Sequence, residues 1–247
     1  AKAGFEITIF FFFFFNTTYY QAMFLQPSFY IGKALEKVIV TGEDCLSFAE
    51  KYRLDFLRSF AQPTYVAALS LQGKTESLGS FNSETFQESD YVKNNAAFGQ
   101  PMAYFYLRKI QVLYISGEYQ RCFELLPLLE NLSANLAQHI AFAEYHFFTL
   151  LVLISVRDSL SDDGKKAIQA KFERSYEYIT LWSTLSEENF EHQLLLVQAE
   201  LAREEGREIE AMQKYEEAID SARRHGYKQN AAIASERAGR FCVSLHL

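Results

Sequence analysis

The stretch AELAREEGREIEAMQKYEEAI, residues 199–219, decides the fold. Gly206 interrupts two runs of helix-forming residues, and glycine is the residue that closes a helix in a left-handed conformation. Ala199 and Ala202 lie seven and four residues before it. Ala211, Tyr215, Ala218 and Ile219 lie five, nine, twelve and thirteen residues after it. Small residues at helical spacing on both sides let two helices approach closely, and Tyr215 fills the space above them. The segment predicts a helical hairpin turning at Gly206.

Gly117-Glu118-Tyr119 repeats the turn, with Cys122, Leu126 and Leu129 in the slots held by Ala211, Tyr215 and Ala218. Ile31-Gly32-Lys33-Ala34 is a degenerate third copy. In a tetratricopeptide unit a Gly ends the first helix in this way. The separation of Gly117 and Gly206 is not a whole number of its ~34-residue periods, so the array is expected to be irregular. The structural repeat positions are Gly117, Tyr119, Gly206, Ala211, Tyr215 and Ala218.

Helical periodicity extends outward from this segment. From residue 101 nearly everything reads as helix, including an all-round apolar run from His139 to Val156 that suits a central helix better than a surface one. Ser161 and Ser186 stand as N-caps before paired acids. Between them Ile168, Phe172, Tyr176, Ile179 and Trp182 form one stripe. In the last helix Ala234, Ala238, Phe241 and Leu245 fall in line. Residues 19–72 read as a first helix group, best over Ile31 to Tyr52 and Tyr65 to Leu71. Residues 73–100 are loop-rich, with a short helix expected near Glu84 to Val92. Residues 101–247 are the second group. Residues 1–18, with Phe10 to Phe15, are read as a low-complexity or artefactual edge outside the helical domain 19–247.

Composition agrees with an all-α class. The chain has only 11 Gly and 4 Pro, far fewer turn residues than an all-β chain of 247 residues needs. A net charge of -7 argues against nucleic acid, whose phosphates call for clustered Lys and Arg. Cys45, Cys122 and Cys242 are too scattered for a disulfide framework or a zinc site and suit a reducing compartment. The run Ile7 to Phe15 is short of the ~20 residues of a membrane-spanning helix, so no stable membrane insertion is expected. The start at Ala1 and the end at Leu247 lead us to expect a piece of a larger protein.

Several segments are similar to the helical region of giant hybrid sensor kinases. They are Ala199 to Ile219, Gly226 to Phe241, Leu71 to Thr75, Phe105 to Gln111 with Gly117-Glu118-Tyr119, and Tyr30 to Glu36. The resemblance covers about residues 28–245 and is densest in the last fifty or so. Members of that family carry a Ser/Thr kinase domain, an AAA/NACHT-like ATPase, the helical repeat, a GAF sensor and often a histidine kinase. The resemblance implies an interdomain scaffold in the cytoplasm with no catalytic residues of its own. Its partners would be other proteins or neighbouring domains of the same chain, with self-association open.

Gly73-Lys74-Thr75 lacks the earlier Gly of a phosphate-binding loop, since position 68 is Ala. His139, His146, His192, His225 and His246 show no metal-ligand spacing. Asp162-Asp163 and Glu187-Glu188 sit at helix starts, where the macrodipole accounts for them. Phe105, Tyr106, Tyr114 and Tyr119 could line a groove, but core packing is their ordinary use. The reading is an irregular stack of tetratricopeptide-like hairpins forming a short solenoid, without catalytic, cofactor or metal residues. Its mechanism would be positional, with a concave side that holds a peptide or a domain. The rival is a small-molecule-sensing or enzymatic helical domain with a pocket between helices. Inward-facing polar groups would favour it, and none is evident in the sequence.

Overall fold

The computed structural model describes residues 24–246, and all regular structure among them is helical. The expectation for residues 1–18 lies outside the described residues. The chain divides into two compact units, Ala1–Arg108 and Lys109–Leu247.

In the first unit α1, described over residues 24–30, precedes α2 (Leu35–Lys51), α3 (Asp55–Leu71), α4 (Glu88–Asn95) and the first half of α5 (Gly99–Ile115). α2 and α3 lie antiparallel, with Gln72 donating to Glu36 at 2.7 Å and Tyr65 to Glu43 at 3.4 Å. Gly42 allows their approach: a Cβ there would stand 2.8 Å from Tyr65 Cδ2. α3 starts ten residues before the expected Tyr65, running through Pro63. Proline has no N–H to offer the carbonyl four residues back. That carbonyl, Ser59 O, accepts instead from the Tyr91 hydroxyl at 2.6 Å, so a tertiary contact makes good the lost bond.

The segment 73–100 is loop-rich, but it contributes to the core. Phe81 and Phe86 are buried, and Phe81 meets Phe105 edge-on at 5.8 Å. α4 begins at Glu88 rather than near Glu84. Asn82 Oδ1 accepts from Glu88 N at 2.9 Å and Glu88 Oε1 accepts from Phe81 N at 2.7 Å, a reciprocal cap that delays the start.

The second unit holds the end of α5, then α6 (Tyr119–Leu132), α7 (Ala141–Val156), α8 (Asp162–Leu185), α9 (Glu187–Glu204), α10 (Glu208–Arg224) and α11 (Lys228–Ser244). The turns at Gly117 and Gly206 have φ of +80° and +72°. At each, the residue after the glycine donates back to a carbonyl in the helix: Glu118 N to Leu113 O at 2.9 Å and Arg207 N to Ala202 O at 2.8 Å. Gly226 repeats this after α10, with Tyr227 N bonded to Ala222 O at 2.8 Å. Consecutive helices from α6 to α11 pack together, and α7, α9 and α11 also touch in series. This is the connectivity of stacked hairpins whose first helices form one row.

α7 is buried on all sides, with α6, α8 and α9 packed against it and Tyr114 of α5 meeting Phe148 edge-on at 5.9 Å. Among the described residues no helix is long and apolar enough to cross a membrane. The Ser161 hydroxyl caps α8 by accepting from Gly164 N at 3.2 Å. Ser186 stands at the N-cap of α9 but makes no cap bond. Its oxygen is occupied by Asn189 Nδ2 at 2.8 Å, which corrects the expected serine cap. In the α8 stripe only Ile179 is fully buried; Ile168, Phe172, Tyr176 and Trp182 are half-buried.

Candidate functional site

The C-terminal hairpins gather a buried charge cluster. Glu200 on α9 is 1% exposed and Arg237 on α11 is 7% exposed. Arg237 binds Glu200 with two parallel bonds, Nε to Oε1 at 2.7 Å and Nη2 to Oε2 at 2.6 Å. Tyr215 on α10 donates to Oε1 at 2.7 Å, and Arg203 Nε to Oε2 at 3.2 Å. The remaining arm of Arg237, Nη1, donates to the Tyr119 hydroxyl at 2.5 Å. Its guanidinium lies 5.4 Å from the Tyr119 ring and 5.9 Å from that of Tyr114. Burial alone would raise the Glu200 pKa, yet it is held below the usual carboxylate value by Arg237, Arg203 and the Tyr215 hydroxyl. Burial likewise opposes the charge on Arg237, and Glu200 with Tyr114 and Tyr119 overcomes it. Both groups stay ionised, as a bidentate buried pair requires.

Sequence reasoning saw no inward polar group here, and the structure corrects it. A shared offset marks these groups. Gln26, Gln111 and Glu200 each stand six residues before Gly32, Gly117 and Gly206, which all adopt positive φ. Each bonds a helix of the next hairpin. Gln26 accepts from Thr64, Gln111 Nε2 donates to Glu144 Oε1 at 2.6 Å, and Glu200 takes Arg237. The position is an inter-hairpin contact that tolerates polar side chains when the partner supplies the matching group.

Of the expected repeat positions, two reach the cluster. Ala211, Tyr215 and Ala218 on α10 are buried. Tyr119 and Tyr215 both touch the ion pair. A Cβ at Gly117 would lie 3.8 Å from the Arg240 guanidinium, and at Gly206 it would meet nothing within 4 Å.

The other candidates are structural. His146 is buried in an aromatic cluster, with Phe142 at 4.6 Å and Tyr178 at 4.5 Å between ring centroids. Its Nδ1 lies 3.0 Å from the Ser175 hydroxyl. Burial, with help from Arg174, lowers its pKa to about 4. His192 is lowered to about 3 by burial and His225; its Nε2 lies 2.7 Å from Asn230 Nδ2 and it stacks on Tyr227 at 4.4 Å. Both imidazoles are neutral at pH 7. Burial pushes the thiols of Cys45 and Cys122 up to about 11 and about 12, the signature of inert core cysteines. Gly73 is a helix stop with φ of +70°, and Lys74 N bonds Leu69 O at 2.9 Å, so Gly73-Lys74-Thr75 ends α3 and does not cradle a phosphate. Among the described residues no group of three or more His, Cys, Asp or Glu is placed to hold a metal ion.

A model of the family described as "CHK1-like, TPR repeats" matches residues 61–246. The chain belongs to this family. No curated protein and no solved structure matches it. The TPR match covers Gly117 and Gly206 with both their hairpins, and all of the Glu200–Arg237 cluster. Tetratricopeptide repeats in general mediate protein contacts, and the chain is a helical repeat of this family.

Proposed function

We propose that this TPR chain is a non-catalytic scaffold that carries protein or interdomain contacts within a multidomain signalling kinase with an ATPase. The observation that carries the reading is the saturation of the buried cluster. The Glu200 carboxylate receives four hydrogen bonds from Arg237, Tyr215 and Arg203, so the charge gathered there is spent on holding α9, α10 and α11 together. Inward polar groups of this kind serve the fold and supply no group to a substrate. The resemblance of residues 199–219 and 226–241 to the helical region of hybrid sensor kinases supports the signalling context. Surfaces for contact are present on α8, where Leu181 is 52% and Leu185 72% exposed beside half-buried Trp182. Exposed aliphatic and aromatic side chains of this type are common anchors at protein interfaces.

Calorimetric titration of the chain with Mg-ATP tests the non-catalytic part. No heat of binding is expected, because Gly73-Lys74-Thr75 closes a helix. A micromolar nucleotide site would overturn the scaffold reading in favour of a pocket between helices.

A further inference from the structure

Three helices from the middle of the array, α7, α8 and α9, bring one apolar surface to solvent. α8 packs against α7 and α9 and turns Ile179 into the core. Leu181 and Leu185, one helical turn apart, are both more than half exposed. Half-buried Trp182 lies beside them, its ring 5.8 Å from that of Phe190 on α9 and 6.0 Å from that of Phe142 on α7. Phe190 and Phe142 are half-buried too. α10 and α11 follow in the chain and leave this surface open. Its rim is acidic. Glu177 stands one turn before Leu181 on the same stripe, and Glu187 and Glu188 come just after Leu185, across Ser186. All three are exposed, and among the described residues none enters an ion pair or a side-chain hydrogen bond. From residue 175 to residue 202 the sequence holds no Lys or Arg. The helix dipole accounts for Glu187 and Glu188 at the start of α9, but not for Glu177, far from the start of α8.

Exposed leucines flanked at both ends by unpaired carboxylates complement a partner that is apolar in the middle and cationic at its ends. The same rim repels an anionic bilayer and the phosphates of a nucleic acid. No strand is present among the described residues, so a partner has no sheet edge to extend there. A leucine pair four residues apart is instead a ridge that packs into the groove of another helix. We propose that the Leu181–Leu185 surface docks a basic amphipathic helix of a partner protein. Its apolar stripe lies over Leu181, Leu185 and Trp182, and its Lys or Arg residues meet Glu177, Glu187 and Glu188. The proposal rests on the reading of the chain as a contact-making scaffold and gives the chemistry of one partner.

Trp182 is the single tryptophan of the chain, so its fluorescence reads this surface alone. The full chain is titrated with a synthetic amphipathic helix that carries leucine on one face and lysine on the other. A saturable blue shift of the Trp182 emission is expected, and none with the same peptide bearing glutamate in place of lysine. Leu181→Ser with Leu185→Ser should weaken binding by at least about tenfold. The thermal midpoint should hold, since both side chains are exposed. Glu177→Gln with Glu188→Gln should weaken binding severalfold. Glu208→Gln with Glu216→Gln, an equal change of charge at exposed sites on α10, should not. No shift with the lysine peptide would overturn the proposal. So would affinities that are equal in the two glutamine variants and follow net charge alone. A shift produced only by anionic phospholipid vesicles would assign the surface to a membrane and overturn it as well. The titration with Mg-ATP tests the scaffold reading separately, so failure of one is distinguishable from failure of the other.

Discussion

Replacing Glu200 by glutamine tests whether the charge cluster holds the C-terminal hairpins together. The carboxylate is 1% exposed and receives both parallel bonds of Arg237, as well as those of Tyr215 and Arg203. Glutamine keeps the shape and one acceptor oxygen but turns an N–H₂ toward donors. Arg237, whose side chain is only 8% exposed, then keeps its charge with no carboxylate against it. Breaking a buried pair by removing one partner costs about 3–5 kcal/mol. Against a total stability of roughly 5–15 kcal/mol this is a large share, and it lowers the thermal midpoint by roughly 10 °C. Removing both charges in Glu200→Leu with Arg237→Met should recover most of the loss, because no buried ion is left without a partner. Urea unfolding followed by circular dichroism supplies the double-mutant cycle. As a control, Arg207→Ala, which breaks an exposed pair with Glu210, should unfold with the parent, because solvent screens such a pair. If Glu200→Gln unfolds with the parent, or if the double variant loses the sum of the single losses, the cluster is not a coupled clamp.

Two further outcomes follow from the same unit. Ala211→Leu should cost ~1–3 kcal/mol by overpacking a buried position, and Tyr215→Ala about 3–5 kcal/mol, whereas exposed Gln213→Leu should do little. Thermal melts that rank Gln213→Leu below Ala211→Leu would reverse the face assignment. Stability should also fall as acid protonates the two buried imidazoles. Burial holds His146 at about 4 and His192 at about 3, below the ordinary imidazole value of about 6.5, so the unfolded chain binds more protons once pH drops toward and below that value. The two together should remove roughly 4 kcal/mol by about pH 5, the loss continuing down to the native values. Unfolding curves that coincide at pH 7 and pH 5 would contradict their burial as neutral groups.

The sequence by itself determined the helical class, the glycine turns and the buried faces of the C-terminal hairpins. These depend on local rules. Gly117 and Gly206 are needed where the chain turns left-handed, and the spacing of Ala211, Tyr215 and Ala218 places them on one side of a helix whatever that helix packs against. The all-round apolar run before Val156 was legible as a central helix for the same reason. Start points set by distant groups were not legible. Asn82 decides where α4 begins, Asn189 takes the oxygen that would have capped α9, and Tyr91 lets α3 continue through Pro63. The charge cluster was hidden because Glu200 and Arg237 are ordinary helix residues when read alone, 37 positions apart. Their burial became favourable only when α9, α10 and α11 brought a carboxylate, a guanidinium and a phenol within hydrogen-bonding distance, and that proximity is a property of the tertiary structure alone.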